Sequence, residues 1–429
     1  MREQRGEKRL QRWVNGLCAC VFALFCFTFI AIYQAPLLEA LYDKVATGKL
    51  EFNEYVVAAT VTTLLLLFTL WINKLARFQR EWTSFAYLPS CLLLAFITDI
   101  DRSIYTNNCN IMSWVWIFAV GILVYSLFAF LLQRVLFAKI KNLQMEGNRI
   151  VWRNLLLFVL MFCLTGWLSN GKEGFKQEAA AYSLYKRGNI NAALKVAKRS
   201  LTATHELTAA RAFYLAKSGA LGEKLFSYPQ YYGAEGLLPK MQQTSPISPD
   251  TVYAQFHLSR NSNEPALDYL RRVAEGDTLK SRTTADYYLC ALLLEKRLTD
   301  FIEELPRYYN IHSGKELPLH YQEALIYYVT TIDDSKISFE ADSLRSELLL
   351  MGLMNWNYGQ DVPTHYKEAF KDYALSSADF ENMLDVDSLG KEFVAMVELE
   401  KKYPQLHVRS NFIRKHYGNT YWWYFTYSE

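Results

Sequence analysis

Two carboxylates one residue apart, Asp99 and Asp101 in the stretch TDIDRS, are the side chains whose type and spacing come closest to chemistry in this chain. They directly follow an apolar run, which puts them at a membrane surface if that run crosses a bilayer. Hard oxygen ligands there suit Mg²⁺, and a bound Mg²⁺ could orient and polarise a lipid-linked phosphate. The plainer reading weighs more: acidic residues mark the polar end of a helix, with Arg102 as counter-charge. The wider search returns little. There is no phosphate-binding glycine loop, no HExxH and no nucleophile elbow. The seven histidines, His205, His257, His312, His320, His365, His407 and His416, lack the close pairing of a metal site on one helix and read as surface or partly buried side chains. Neither a cofactor nor a metal is expected.

Composition separates the chain into two regimes. Of 429 residues, 51% are hydrophobic and 15% aromatic, rich for a protein without membrane segments. Up to Asn170 the chain carries 16 Lys and Arg against 10 Asp and Glu; the remainder carries 30 against 33. The positive excess sits in short loops between apolar runs, which is not a nucleic-acid signature. Residues 1–170 therefore read as a transmembrane domain and residues 171–429 as a helical domain outside the bilayer.

Five apolar segments can be drawn: Trp13–Tyr33, Tyr55–Ile72, Phe85–Ile97, Ile111–Leu132 and Val151–Leu168. A bilayer core needs about 20 helical residues. The first, second and fourth meet that. The third has 13 residues and contains Pro89; the fifth has Arg153 and Asn154 in its first turn, so both could instead be buried or re-entrant helices. Loop charges favour five spans with the N-terminus inside, since 13 basic residues then fall on the cytoplasmic side and five on the other. Arg153 becomes a cytoplasmic anchor whose stem snorkels to the headgroups, and residues 171–429 lie outside the cytoplasm. Losing one weak span would invert that domain. The first segment is too long for a signal-peptide h-region, and no clean cleavage site follows it. Few ionisable groups fall within the spans, which argues against an ion or proton path.

Cys18, Cys20, Cys26, Cys91 and Cys163 lie in apolar spans, where a thiol behaves as a small hydrophobe. Cys109 and Cys290 lie outside them and could pair if both are extracytoplasmic. Without a repeated spacing they form no disulfide framework, and free thiols are expected.

Beyond the fifth run the pattern becomes short amphipathic helices. In Ala179–Leu201, AAAYSLYKRGNINAALKVAKRSL, a helix should end at Lys186-Arg187-Gly188. Ile190, Ala193, Leu194, Ala197 and Leu201 then return at spacings of three and four. This stretch resembles a tetratricopeptide (TPR) repeat: Gly188 matches the glycine before the turn, Ala193 the small crossing residue and Leu201 a late apolar position. Gln177, Ala181 and Ala197 depart from the family's Trp, Gly and aromatic positions, and the resemblance covers about one repeat. Further helices are expected over Arg211–Ser218, Asp250–Ser259, Glu264–Ala274, Thr283–Lys296, Leu298–Tyr309, Leu317–Thr330, Ala341–Met354, Tyr366–Ser376 and Ser388–Tyr403. The expected fold is all-α, a bundle of about five transmembrane helices followed by an irregular TPR-like α-solenoid.

Two aromatic concentrations stand out. In Phe226–Lys240, FSYPQYYGAEGLLPK, two prolines and two glycines break any helix while Tyr228, Tyr231 and Tyr232 offer rigid rings as anchors for a partner. The competing and somewhat better-supported reading packs them against neighbouring helices. Trp422 and Trp423, in the ending HYGNTYWWYFTY, could sit at a membrane interface or, preferably, cap the last layer of the solenoid.

The multi-span start, the segment YLAKSGALGEKLFSYPQ from Tyr214 to Gln230 and the ending HYGNTYWWYF together resemble an uncharacterised Bacteroidota membrane-protein family with a tetratricopeptide-like C-terminal region. The resemblance implies a Gram-negative inner membrane with the C-terminal domain in the periplasm. It implies no activity. The expectation is an inner-membrane scaffold that binds a protein or peptide, with the lipid bilayer as its other partner and no nucleic acid. The alternative is an enzyme or assembly factor for envelope glycans. Lipid-phosphate-dependent glycosyltransferases use acidic residues in extracytoplasmic loops, and Asp99 and Asp101 resemble them only at that level; five spans are fewer than such enzymes show.

Overall fold

The computed structural model describes residues 2–46, 51–76, 80–106, 111–131, 147–169, 173–198, 200, 203–276, 281–309, 317–331 and 386–428. The regular structure among the described residues is helical, without a strand. They form two compact units: residues 1–183 with 243–246, and residues 184–242 with 247–429. The expected helices Ala341–Met354 and Tyr366–Ser376, and Cys109, lie outside the described residues.

In the first unit, α1 (Arg2–Thr28) runs through a π-helical stretch, Phe29–Gln34, into α2 (Ala35–Ala46). Pro36 accounts for that defect: it has no N–H to give the carbonyl of Ile32, and its ring crowds that carbonyl. Val14, Cys18, Phe22, Cys26 and Ile30 recur every fourth residue, at most 2% exposed, as one continuous ridge. Trp13, Leu24 and Ile32 face outward. The Asn53 side chain accepts the N–H groups of Tyr55 and Val56 and so caps α3 (Glu54–Ala76). A 3₁₀ stretch, Arg80–Tyr87, kinks at Trp82 and leads into α4 (Leu88–Thr98), where Pro89 in the first turn forfeits no hydrogen bond. Then come α5 (Ser103–Thr106), α6 (Ile111–Leu131), α7 (Gly147–Leu168) and α8 (Glu173–Lys186).

Among the described residues three helices are long and apolar enough to cross a membrane: Arg12–Ala46, Glu54–Lys74 and Arg149–Leu168. Trp82–Thr98 is apolar but shorter, and α6 is apolar over Trp114–Leu127, the unbroken part of it whose side chains are described. Buried hydroxyls tie the bundle: Thr69 Oγ1 and Ser90 Oγ lie 2.7 Å apart, and Ser90 also reaches the Leu65 carbonyl. The polar start of α7 is accommodated too. Asn154 is buried and accepts the Ser84 N–H, while Arg153 stacks over the Trp82 ring with 4.9 Å to its centroid.

At the end of α8, Gly188 takes φ +77°, the Asn189 N–H donates to the Leu184 carbonyl, and the Asn189 side chain caps α9 (Ile190–Lys195) through Ala192 N–H. The amphipathic pattern predicts helix as far as Leu201. Instead α9 stops after Lys195, with Ala197 at φ +51°. The Val196 carbonyl is taken by a side chain from α10 (His205–Lys217).

The second unit continues with α11 (Leu221–Lys224), α12 (Pro249–Tyr253), α13 (Ala266–Gly276), α14 (Arg282–Leu294), α15 (Leu298–Tyr308), α16 (Leu319–Thr331), α17 (Val386–Lys402), α18 (Leu406–Tyr417) and α19 (Tyr421–Tyr427). Every residue of α14 from Thr284 to Leu294 is buried, as expected of a helix surrounded by others. It packs on α13 and α15, its neighbours in sequence, and also on α10, α11 and the 3₁₀ turn Gly233–Leu237. A second cluster near the C-terminus joins Ile326, Phe393, Met396, Ile413 and Trp422.

Candidate functional site

The loop between α11 and α12 is held by side chains from most of the second unit. The Phe226 N–H donates to His320 Nε2 at 3.3 Å, and its ring packs edge-on against His320 and Tyr421. Gly233 needs its positive φ of +53°, and a Cβ there would fall 2.6 Å from Glu295 Oε1, which accepts the Ala234 N–H. Glu235 accepts both from Arg260 Nη2 at 2.8 Å and from the Ala266 N–H at 2.7 Å, so it caps α13 from a distant part of the chain. Its carbonyl meets His205 Nε2, and the Tyr253 hydroxyl donates to the Pro239 carbonyl. A stretch without long regular structure is thereby made rigid.

The three tyrosines of this loop diverge. Tyr228 is 7% exposed and lies within the unit, whereas Tyr231 and Tyr232 are 52% and 38% exposed. Tyr232 is fixed by its hydroxyl bond to the Ala203 carbonyl at 3.0 Å and by edge-on contact with His205. The loop thus packs one ring inward and offers two outward.

Beneath Tyr228 lies Arg211 of α10, 2% exposed, with its guanidinium carbon 5.1 Å from the ring centroid. Nη2 donates to the Val196 carbonyl at 2.8 Å; Nε and Nη1 are enclosed with no acceptor. Burial pulls the guanidinium down to about 10, opposed by the Tyr228 phenol, and burial pushes Tyr228 up. A desolvated cation–π contact returns about 2 kcal/mol, less than the several kcal/mol that burying an uncompensated ion costs. Lys198, exposed on the turn after α9, places its ammonium 5.7 Å from the same ring. Sequence reasoning missed Arg211; the one signal was a charged residue amid the otherwise apolar positions of AARAFYLA.

Deeper in the unit is a polar network that the sequence did not reveal. Asp286, 3% exposed, accepts the hydroxyls of Tyr309 at 2.5 Å and Tyr321 at 2.9 Å, and burial raises its carboxyl above the usual range. His320 is fully enclosed. With Nε2 accepting from Phe226, its Nδ1–H donates to Glu323 Oε2 at 2.8 Å, and that oxygen also accepts the Tyr421 N–H. Trp422 is 0% exposed and gives its indole N–H to the Glu323 carbonyl, while Trp423 is half-buried beneath the Arg414 guanidinium. Cys290 is a buried free thiol.

In the first unit Asp99 accepts the Trp114 indole N–H at 2.6 Å, and Asp101 accepts the Ser103 N–H at 2.8 Å at the start of α5. Between α2, α5 and α8 there is a cleft of about 290 Å³ lined by Asp43, Lys44, Tyr105, Tyr182, Gln243 and Pro246. Arg102 pairs with Glu178 near it, and the Ser183 hydroxyl donates to Glu39. Burial, with Tyr182, Asp43 and Glu178 adding to it, pushes the Tyr105 hydroxyl up. Asp99 and Asp101 do not line this cleft. Among the described residues no group of three or more His, Cys, Asp or Glu is arranged to hold a metal ion.

The arrangement thus offers a fixed loop with two outward tyrosines and a buried cation. Residues 262–428 match a family of unknown function, DUF6057. That match takes in α13 through α19, including the Asp286 and His320 networks, and stops short of the tyrosine loop and Arg211. Comparison with curated proteins and with solved structures gives no match.

Proposed function

We propose that this protein is a membrane-anchored scaffold whose C-terminal helical unit binds a protein or peptide partner. The observation that carries the reading is the pair Tyr231 and Tyr232, exposed on a loop whose backbone is pinned by Glu295, Tyr253 and His320 and which the Glu235 side chain ties to α13. Tyrosines give large contact area with few rotatable bonds, and a rigid support removes the ordering cost that would otherwise weaken binding. Three helices of membrane-spanning length and character supply the anchor.

The finer parts of the proposal rest on the sequence. Five spans with the N-terminus inside put residues 171–429 in the periplasm of a Gram-negative cell, by the loop charges and by resemblance to the Bacteroidota family. The hairpin between α8 and α9, with its left-handed Gly188 and Asn189 cap, supports a TPR-like reading of the region.

The test uses the full-length chain in its own membrane, with a photo-crosslinking amino acid at position 231. A discrete adduct with one protein or peptide, strongly reduced by Tyr232→Ala, is the expected result. Crosslinks only to lipid, or an adduct indifferent to Tyr232→Ala, would remove the loop as a binding surface.

A further inference from the structure

Arginine keeps its charge in a folded protein and presents five N–H donors. Among the described residues Arg211 bonds through Nη2 to the Val196 carbonyl, and Nε and Nη1 are shut away from solvent without an acceptor. Among the described residues no carboxylate acts on this guanidinium: apart from burial, the group bearing on it is the Tyr228 phenol. Buried arginines are ordinarily met by a carboxylate or by several carbonyls. Two further features gather at the same place. Lys198 and Arg211 lie within 6 Å of one ring, the first exposed and the second buried, so an exposed and a buried cation both approach Tyr228. The turn that supplies the Val196 carbonyl also holds Ala197 at φ +51°, a left-handed conformation that alanine adopts at a cost and that is common at ligand clamps.

We propose that Arg211, Tyr228 and Lys198 form a carboxylate-binding site, with Arg211 as its floor, the Tyr228 ring as a wall that turns about its own side-chain bonds while the loop backbone stays pinned, and Lys198 as its rim, and that the carboxylate is carried by the peptide partner. The partner half of this statement rests on the scaffold reading; the carboxylate half does not. A planar guanidinium matches either a carboxylate or a phosphate, but recognition of phosphorylated peptides draws on clusters of arginines, and among the described residues Arg211 is the arginine at this ring. Tyr231 and Tyr232, three and four residues beyond Tyr228 on the same loop, would hold the flanking part of the peptide.

Acetate is the probe for the site, with chloride at equal ionic strength as control. Thermal unfolding of the full-length protein in detergent is followed by tryptophan fluorescence. Acetate should raise the midpoint in a saturable way and chloride should not. Lys198→Gln should shift half-saturation several-fold higher, read against its own midpoint without acetate; Arg211→Gln should abolish the response. If Arg211→Gln does not fold, Lys198→Gln and Tyr228→Leu decide, each weakening the acetate response. Equal effects of chloride and acetate, or a response untouched by Lys198→Gln, would overturn the site. Acetate needs no partner, so its failure leaves the position-231 adduct standing, whereas an acetate response without any adduct sinks the scaffold reading and the partner half with it, and leaves the carboxylate half. If both hold, excess acetate should suppress the adduct.

Discussion

The Asn154 side-chain oxygen accepts the backbone N–H of Ser84 at 2.9 Å, with both residues buried. Asn154 also gives its own Nδ2–H to the Ile150 carbonyl, so the amide is used on both sides. The Ser84 N–H is thereby satisfied inside the bundle, and the polar start of α7 becomes a packing contact. Asn154→Leu strands the Ser84 N–H in an apolar surrounding. It should destabilise the protein by about 1–2 kcal/mol, toward the upper end of what such bonds contribute in membrane proteins. Unfolding in mixed detergent would show it; a variant as stable as the parent would mean that Ser84 finds another acceptor.

Glu235 is exposed, yet it caps α13 and holds Arg260 at once. Glu235→Ala should cost about 1–2 kcal/mol, the range for a lost N-cap, although the residue lies outside the helix it caps. Hydrogen exchange should locate the loss in the first turn of α13. Faster exchange spread evenly over the second unit, with no excess there, would contradict the capping role.

Asp286 gives a pH signature. Its carboxyl is raised in the folded protein by burial, so the native state binds a proton more tightly than the unfolded chain. Stability from this group is therefore greatest at low pH and declines as pH climbs from the ordinary carboxylate range through the folded value. Asn at this position still accepts hydroxyls and does not ionise. The stability of Asp286→Asn relative to the parent should rise across that window, measured by denaturant unfolding at several pH values. A difference that stays flat or falls with pH would rule out the assignment.

The double variant Asp99→Asn with Asp101→Asn should fold and insert normally, because an amide oxygen accepts the Trp114 and Ser103 N–H groups as a carboxylate does. It is therefore a clean probe of the acidic pair. Loss of lipid-linked sugar transfer in membranes carrying this variant, with the protein intact, would make the chain an enzyme and displace the scaffold reading.

Reporters fused after Gly171 and after Glu429 should both read as extracytoplasmic. A cytoplasmic signal at both would invert the loop-charge argument and move the partner to the other compartment.

Some of this protein is written locally. Hydropathy is additive along a stretch, so runs such as Trp13–Tyr33 and Glu54–Lys74 are apolar wherever they pack, whereas the ridge Val14, Cys18, Phe22 and Cys26 is buried only because neighbouring helices lie on that side. Turn chemistry is equally local, since the left-handed conformation at Gly188 and the cap at Asn189 depend on a few adjacent residues. Helices at Leu298 and Leu319 begin within about two residues of where periodicity puts them, whereas α9 stops early at a turn whose carbonyl Arg211 takes. What tertiary structure alone decided is the fate of polar groups. Whether Arg211 is a solvated charge or a buried one, whether Asn154 breaks α7 or ties it to Ser84, and which of Tyr228, Tyr231 and Tyr232 faces water all depend on partners far away in sequence. A lone side chain carries no signal of its eventual acceptor, because a hydrogen bond is specified by two groups and the fold brings the second.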